Sequence, residues 1–424
     1  MKKEDLSSGL NRRDFLKAAC VMTGGIIVYP SLPFTPSCKA PFKTGVLLPG
    51  SRIYPDLVHN LLAGMKLYLE HSGKSALGRT VELVTMDIGY SPSASLRHAR
   101  ILIEEDRCDL VVAYINNRAA AQLRDLCHEK KILLIAANAG QNLIRREEES
   151  PYIFHASLNC WQANWSLGLW AARNLGTRGV VATSFFDSGY DALNAFRLGF
   201  EHAGGKILRT WVTGSPVSPD VTLKKIFRET KRLHPDFIHA SYCGQKAVHM
   251  VKAYSDAKLS GKVPLIGSGF LVDEGNLPAQ GESALGIKSV FSWSDSLNTE
   301  ENKTFISAFK GTTGKRADAF ALLGYDTARL IGEALKATGG KTTTGVLREA
   351  FRAVQFESPR GPISIHPDTH CMTGPLYIRE VMHHGGRLCN RVIRKLDSIS
   401  EMDRSIQGMR DSLTSGWTNF YMSV

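Results

Sequence analysis

The 424-residue chain lacks the short motifs that most enzymes and nucleic-acid binders carry. Its eight cysteines include no Cys-x-x-Cys pair, so a structural zinc site has no ligand spacing to build on. No Gly-x-Gly-x-x-Gly follows a predicted strand, and Gly340-Lys341-Thr342 lacks the upstream glycine of a phosphate loop because Leu335 stands there. Nucleotide binding by either route is disfavoured. A Gly-x-Ser-x-Gly elbow is missing too, which removes the usual foothold of a serine hydrolase. No Lys/Arg block is interleaved with aromatic residues, and Arg145-Arg146 is answered at once by Glu147-Glu148-Glu149, so a nucleic-acid groove is disfavoured. His366, His370, His383 and His384, with Cys371 beside His370, flank the strands of a predicted β-hairpin (375–381 and 391–394). They have no helical spacing that would organise a metal site. Neither a catalytic residue, a metal nor a cofactor is expected.

What is present begins with Asn11-Arg12-Arg13-Asp14-Phe15-Leu16-Lys17, followed by an apolar stretch over 18–29. This pattern reads as a twin-arginine export leader occupying about residues 1–40. The stretch falls short of the ~20 apolar residues that a spanning helix needs, so an uncleaved anchor is disfavoured. Ser37 before Cys38 resembles the end of a lipoprotein box, although Thr35 and Pro36 depart from it. Cys38 is therefore a candidate lipid attachment site, with plain cleavage or an unused cysteine as the alternative. The expected location is the periplasm. The formal net charge of +12 is spread thinly, as on a solvated surface, with moderate attraction for anionic ligands or lipid head groups as the alternative.

From residue 43 onward, short aliphatic runs alternate with amphipathic helical stretches, the pattern of parallel βα units. Strands are expected over 44–48, 81–86, 110–114 and 132–136, with helices over 57–71, 94–105 and 119–129 between them. After a joining segment at 151–158, a second series begins: helix 161–175, strand 179–183, helix 192–203, strand 206–211, helix 223–233, strand 237–240, helix 245–257 and strand 265–267. Two α/β lobes in tandem follow. Cys108 and Cys127 bracket one strand and helix and are the pair to test for a disulfide, against buried free thiols.

Several runs together resemble the type I periplasmic solute-binding proteins of the branched-chain amino acid (Leu/Ile/Val-binding) kind. They include Thr44-Gly45-Val46-Leu47-Leu48-Pro49-Gly50, Asp109 to Tyr114, and Lys131 to Ile135 leading to Ala136-Ala137-Asn138-Ala139. Downstream come Pro151-Tyr152-Ile153-Phe154-His155, Asp187-Ser188-Gly189-Tyr190, Gly324-Tyr325-Asp326-Thr327-Ala328 and Ser358-Pro359-Arg360-Gly361. The resemblance implies two Rossmann-like lobes closing as a Venus flytrap on a three-segment hinge, with crossings near 155–158, 287–291 and 361–363. Lobe 1 would comprise 43–156 and 290–361, lobe 2 would comprise 157–289 and 362–396, and 397–424 would form a helical extension. That extension carries Met402, Ile406, Met409 and Leu413 at helical spacing, an apolar face to pack on its own lobe or on a partner.

The same resemblance implies the function of an ABC-importer substrate-binding protein that captures a small polar solute, an amino acid, amide or carboxylate. A receptor signalling through a membrane sensor is the alternative. The partners would be the small-molecule ligand and an ABC permease or sensor. Ligand contacts are expected where strand ends meet loops and helix N-termini: Tyr54 with Ser51 and Arg52 on the first βα loop, Asn116, Asn117 and Arg118 after the third strand, and Asn138, Ala139, Gly140 and Gln141 after the fourth. Tyr190 and Tyr242 would cover the ligand from the second lobe. Where amino-acid-binding relatives hold the ligand ammonium with an acid, this chain has Gly269 in Gly267-Ser268-Gly269-Phe270. Asp187, Asp273 and Glu274 are the nearby acids, none at the matching place, and a buried ammonium without a carboxylate is costly. An ordinary branched-chain amino acid is thus less expected than the family resemblance alone implies, and a neutral amide, a carboxylate or a small aromatic compound stays open beside it.

Overall fold

The computed structural model describes residues 40–50, 55–89, 92–114, 117–138, 150–185, 192–214 and 221–396. The leader, Cys38 and the 397–424 extension lie outside the described residues. Strands β1 (Phe42–Pro49), β2 (Val81–Gly89), β3 (Leu110–Tyr114), β4 (Leu133–Asn138) and β5 (Ile153–Ser157) form an all-parallel sheet in the order β2-β1-β3-β4-β5. They alternate with helices α1 (Leu57–Ala76), α2 (Pro92–Glu104) and α3 (Asn117–Lys130). β3 is buried along its whole length because both faces of the sheet are covered. Leu110 and Val112 join one apolar cluster, while Val111 and Ala113 join another with Leu102 of α2 and Leu123 of α3. This second cluster also buries Cys108 and Cys127 as free thiols. The disulfide considered from sequence is not formed, and burial pushes the two thiols up to about 11 and about 12.

After β5 the chain passes through Leu158 and Asn159 into a second lobe. Asn159 takes a left-handed backbone conformation (φ 55°), which Asn tolerates better than most residues. Helices α4 (Cys160–Asn174), α5 (Ala192–His202), α6 (Leu223–Leu233), α7 (Gly244–Asp256) and α8 (Leu277–Gln280) alternate with β6 (Arg178–Ser184), β7 (Lys206–Thr213), β8 (Phe237–Ser241), β9 (Leu265–Ser268) and β10 (Lys288–Phe291). A second passage over 292–299 returns to the first lobe, where α9 (Glu300–Thr313), α10 (Ala319–Ala337), α11 (Thr344–Arg352) and a small antiparallel sheet follow. That sheet comprises β11 (Gln355–Ser358), β12 (Gly361–Ile365) and β13 (Met372–Thr373). A third passage at Gly374-Pro375 leads to the hairpin β14 (Leu376–His384) and β15 (Arg387–Leu396). It completes the second sheet in the order β15-β14-β10-β9-β8-β6-β7. The strands β6 to β10 are parallel, and β14 runs antiparallel to β10.

The third passage falls later in the chain than the 361–363 expected from the resemblance. The reason is β12: it pairs with β11 and β13, and Ile363, Ile365 and Met372 are buried in the same cluster as β1 and α10. Residues 361–373 therefore belong to the first lobe.

Each lobe contains one helix pair in backbone contact through reciprocal glycines. In α1 against α10, a Cβ on Gly64 would lie 2.0 Å from the Ala321 carbonyl oxygen, and one on Gly324 would lie 2.0 Å from that of Leu61. In α4 against α5, a Cβ on Gly168 would meet the Phe196 oxygen at 2.3 Å, and one on Gly199 the Trp165 oxygen at 2.2 Å. The N-terminus of α10 is capped by Asp318, whose Oδ1 accepts from the backbone N–H of Phe320 and Ala321, while its Oδ2 accepts from Asn60 of α1 at 2.8 Å.

Candidate ligand-binding site

The three passages lie side by side at the carboxyl ends of the parallel strands. The first leaves the end of β5, the second leaves the end of β10, and the third enters β14 where Tyr377 pairs with Phe291, the last residue of β10. A backbone bridge between His155 and Cys371 sets the first and third together. Both sheets thus turn their carboxyl ends towards the segments that join them. In such sheets this end gathers unpaired backbone N–H groups and helix N-termini, and there a small ligand is received.

On these ends the sequence places serine repeatedly. Ser157, Ser184, Ser241 and Ser268 each close a strand, and Ser292 follows β10; all are buried. The Ser157 hydroxyl accepts from the Asn159 N–H at 2.9 Å and so shapes the first passage. The hydroxyls of Ser241 and Ser292 are buried without a protein partner. Sequence reasoning missed this row, although the signal is there: β5 reads Ile-Phe-His-Ala-Ser and β8 reads Phe-Ile-His-Ala-Ser. The central histidines, His155 and His239, are both buried, and burial drives each imidazole down to about 3. His239 stacks on Phe196 with ring centroids 3.8 Å apart, and neither of its nitrogens has a hydrogen-bond partner.

Of the residues named from sequence, Tyr54, Asn116, Ala139, Gly140 and Tyr190, with Ser51, Arg52, Gln141 and Asp187, lie outside the described residues. Asn117 and Arg118 are the first two residues of α3, and Asn138 is the last of β4; their side chains are likewise outside the description. Tyr242 sits at the end of β8, but its ring is buried in the second lobe's core with Trp211 and Met250, and its hydroxyl accepts from Thr213 at 3.1 Å.

Gly269 opens a single 3-10 turn, Gly269–Val272, after β9. A Cβ there would lie 2.4 Å from the Phe291 ring, so no side chain fits unless Phe291 moves. Its carbonyl is held by Arg379 of β14, which is fully buried. The same guanidinium reaches Glu274 at 3.2 Å, the Trp293 carbonyl at 2.9 Å and Ser289 at 3.3 Å, and it lies over the Phe291 ring. The two described acids considered for an ammonium are therefore committed elsewhere. Glu274 is paired with Arg379 and with the Asn390 amide, and Asp273 accepts from the backbone of Gly275 and Asn276 and from the Asn276 side chain.

The histidines near the end of the chain have separate tasks. His366 accepts from the N–H groups of Asp368 and Thr369, His370 stacks on Phe154, and His383 pairs with Glu282 at 3.1 Å. A second buried arginine, Arg360, was named in the sequence only as part of a motif. Its Nε donates to Asp326 at 2.8 Å and its Nη1 to the Ser157 carbonyl at 2.9 Å, while its Nη2 points at the Met372 sulfur. Ser358 donates to the other Asp326 oxygen at 2.7 Å.

A family model described as periplasmic binding protein matches residues 41–386. Leu/Ile/Val-binding protein homolog 6 of Brucella melitensis is 29% identical over 348 residues, covering 80% of this chain and 87% of the relative. Among solved structures, the solute-binding protein of an ABC transporter from Rhodopseudomonas palustris in complex with 3,4-dihydroxybenzoic acid has a TM-score of 0.75 at 29% identity, covering 85% of this chain and 98% of the other. An R. palustris solute-binding protein in complex with benzoate has a TM-score of 0.73 at 27% identity, covering 86% and 99%.

Proposed function

The chain belongs to the periplasmic binding protein family, and from that premise we propose that it captures an aromatic carboxylate between its lobes and delivers it to an ABC importer in the membrane. It is a solute-binding protein and not an enzyme. The observation that carries the choice of ligand is Gly269, where Phe291 fills the space in which an acidic side chain would have to stand. Asp273 and Glu274 are taken up by their own turn and by Arg379. An α-ammonium group received there would meet no free carboxylate among the described residues, a costly arrangement in a closed cleft. A benzoate-like acid makes no such demand. Its carboxylate is suited to the N-terminus of α3, where Asn117 and Arg118 follow β3 and a guanidinium gives a bidentate grip. Similarity to two R. palustris proteins solved with benzoic acids supports the same reading.

Arg12-Arg13 and Phe15-Leu16-Lys17 support export by the twin-arginine route, with Cys38 as the candidate lipid anchor. Titration calorimetry with benzoate, 4-hydroxybenzoate, 3,4-dihydroxybenzoate, leucine and isoleucine tests the ligand class. The aromatic acids should bind, and Arg118→Gln should weaken them at least tenfold. Tight binding of leucine with none of the aromatic acids would overturn the proposal.

A further inference from the structure

We propose that Arg360 is a positioning residue for lobe closure: it locks the first and third passages to α10 and sets the balance between open and closed forms without touching the ligand. Its side chain joins the last residue of β5 (the Ser157 carbonyl), the middle of α10 (Asp326) and β13 (Met372). The backbone N–H of Arg360 donates to Ser358, which itself holds Asp326, so the turn carrying the arginine is fixed by the same carboxylate. The remaining contact reaches the other lobe. The Tyr377 hydroxyl, on β14 of the second sheet, donates to the Arg360 carbonyl at 2.8 Å. One buried residue is thus bonded through its side chain to the end of the first sheet and through its backbone to the second.

Closing two lobes about three strands changes backbone torsions where those strands leave their sheets. Ser157 is the last residue of β5, two before the left-handed Asn159, and Tyr377 is the second residue after the third passage. Arg360 braces both points, and a charged group with all its neighbours placed around it holds one geometry firmly. A residue acting in this way shifts the conformational equilibrium, so it scales the apparent affinity of every ligand by one common factor. A residue that touches the ligand changes affinities selectively. The inference rests on the two-lobed fold and not on which ligand is bound.

The experiment uses Tyr377→Phe, which keeps the buried ring and removes the hydroxyl that bonds the second sheet to the Arg360 carbonyl, and Arg360→Lys, which keeps the charge beside Asp326 but loses the fork. Small-angle scattering of the purified protein without ligand reads the lobe arrangement, and calorimetry with benzoate, 4-hydroxybenzoate and 3,4-dihydroxybenzoate reads affinity. For Tyr377→Phe we expect an altered unliganded radius of gyration and a change of about three- to tenfold in Kd, the same for all three acids. Arg360→Lys should move both readings further in the same direction. Unchanged scattering, or Kd changes that differ from acid to acid, would overturn the inference. If Arg360→Lys does not fold, Tyr377→Phe decides alone. If none of the acids binds the wild type, the ligand reading fails and the scattering comparison still decides this one.

Discussion

His239→Phe isolates the contribution of one buried imidazole to acid sensitivity. His239 is fully buried on β8, stacked on Phe196, and burial lowers its pKa from 6.5 to about 3. In the unfolded chain the ring takes up a proton as pH falls through 6.5, while in the folded protein it stays neutral until pH nears 3. Its share of stability is therefore complete above 6.5 and is lost progressively on acidification. From these two values the loss is about 2 kcal/mol at pH 5 and about 3 kcal/mol at pH 4. Phenylalanine keeps a flat ring against Phe196 and removes two nitrogens that have no partner, so the variant should match the wild type near pH 7.5. Urea unfolding followed by tryptophan fluorescence at pH 7.5, 6, 5 and 4 gives both stability curves. The wild type should fall away from the variant by the stated amounts. Asp273, whose carboxyl burial lifts to about 7, acts in the opposite sense, gaining stability as pH falls, but it is common to both proteins and cancels in the difference. Curves that stay parallel down to pH 4 would refute the reasoning, because His239 would then titrate alike folded and unfolded.

The reciprocal glycines give a contrast within helices: Gly324→Ala and Gly199→Ala should each cost about 1–3 kcal/mol by forcing a helix pair apart. Gly311→Ala in α9, where a Cβ meets nothing, should be neutral or stabilising by up to about 1 kcal/mol, and melting temperatures report both. Cys108 and Cys127, buried thiols raised to about 11 and about 12, should resist iodoacetamide at pH 8 in the native state and react once the protein is unfolded; peptide mapping distinguishes the two. Asp318→Ala removes the cap of α10 and strands the Asn60 amide, so denaturant unfolding should register a loss of about 1–2 kcal/mol.

The alternation of strand and helix was legible because a sheet covered on both faces needs continuous apolar strands, and runs such as Leu-Val-Val-Ala-Tyr of β3 announce themselves. The closing hairpin was legible as well, since Gly385-Gly386 separates two runs that pair antiparallel. The cysteine pair stood open between a disulfide and buried free thiols, because bracketing one strand and helix in sequence says nothing of where the sulfurs point, and the structure has the free thiols. The small sheet of β11 to β13 was not foreseen: its strands are short, and what assigns them to the first lobe is packing against β1 and α10, elements far off in sequence. At the candidate site, the bonds from Arg360 to Asp326 and from Arg379 to Glu274 span 34 and 105 residues. No local spacing marks such pairs, so they emerge only when the sheets are assembled. Gly269 was noticed for the acid it lacks; the cause, the Phe291 ring behind it, belongs to another strand.

Each lobe borrows its final pieces from late in the chain, and this governs how the protein can be made. The strands of the first sheet have all left the ribosome soon after residue 157, yet α10, which shares the covering of one of its faces with α1, comes only with 319–337. The second sheet must wait for 376–396 before β10 gains its outer neighbours. Throughout most of synthesis both half-built sheets carry greasy surface that later residues will cover, and cellular holdases have a long interval in which to act. A gene severed after residue 157 would encode five strands with one face half covered, and the severed remainder would carry α10 with no sheet beneath it.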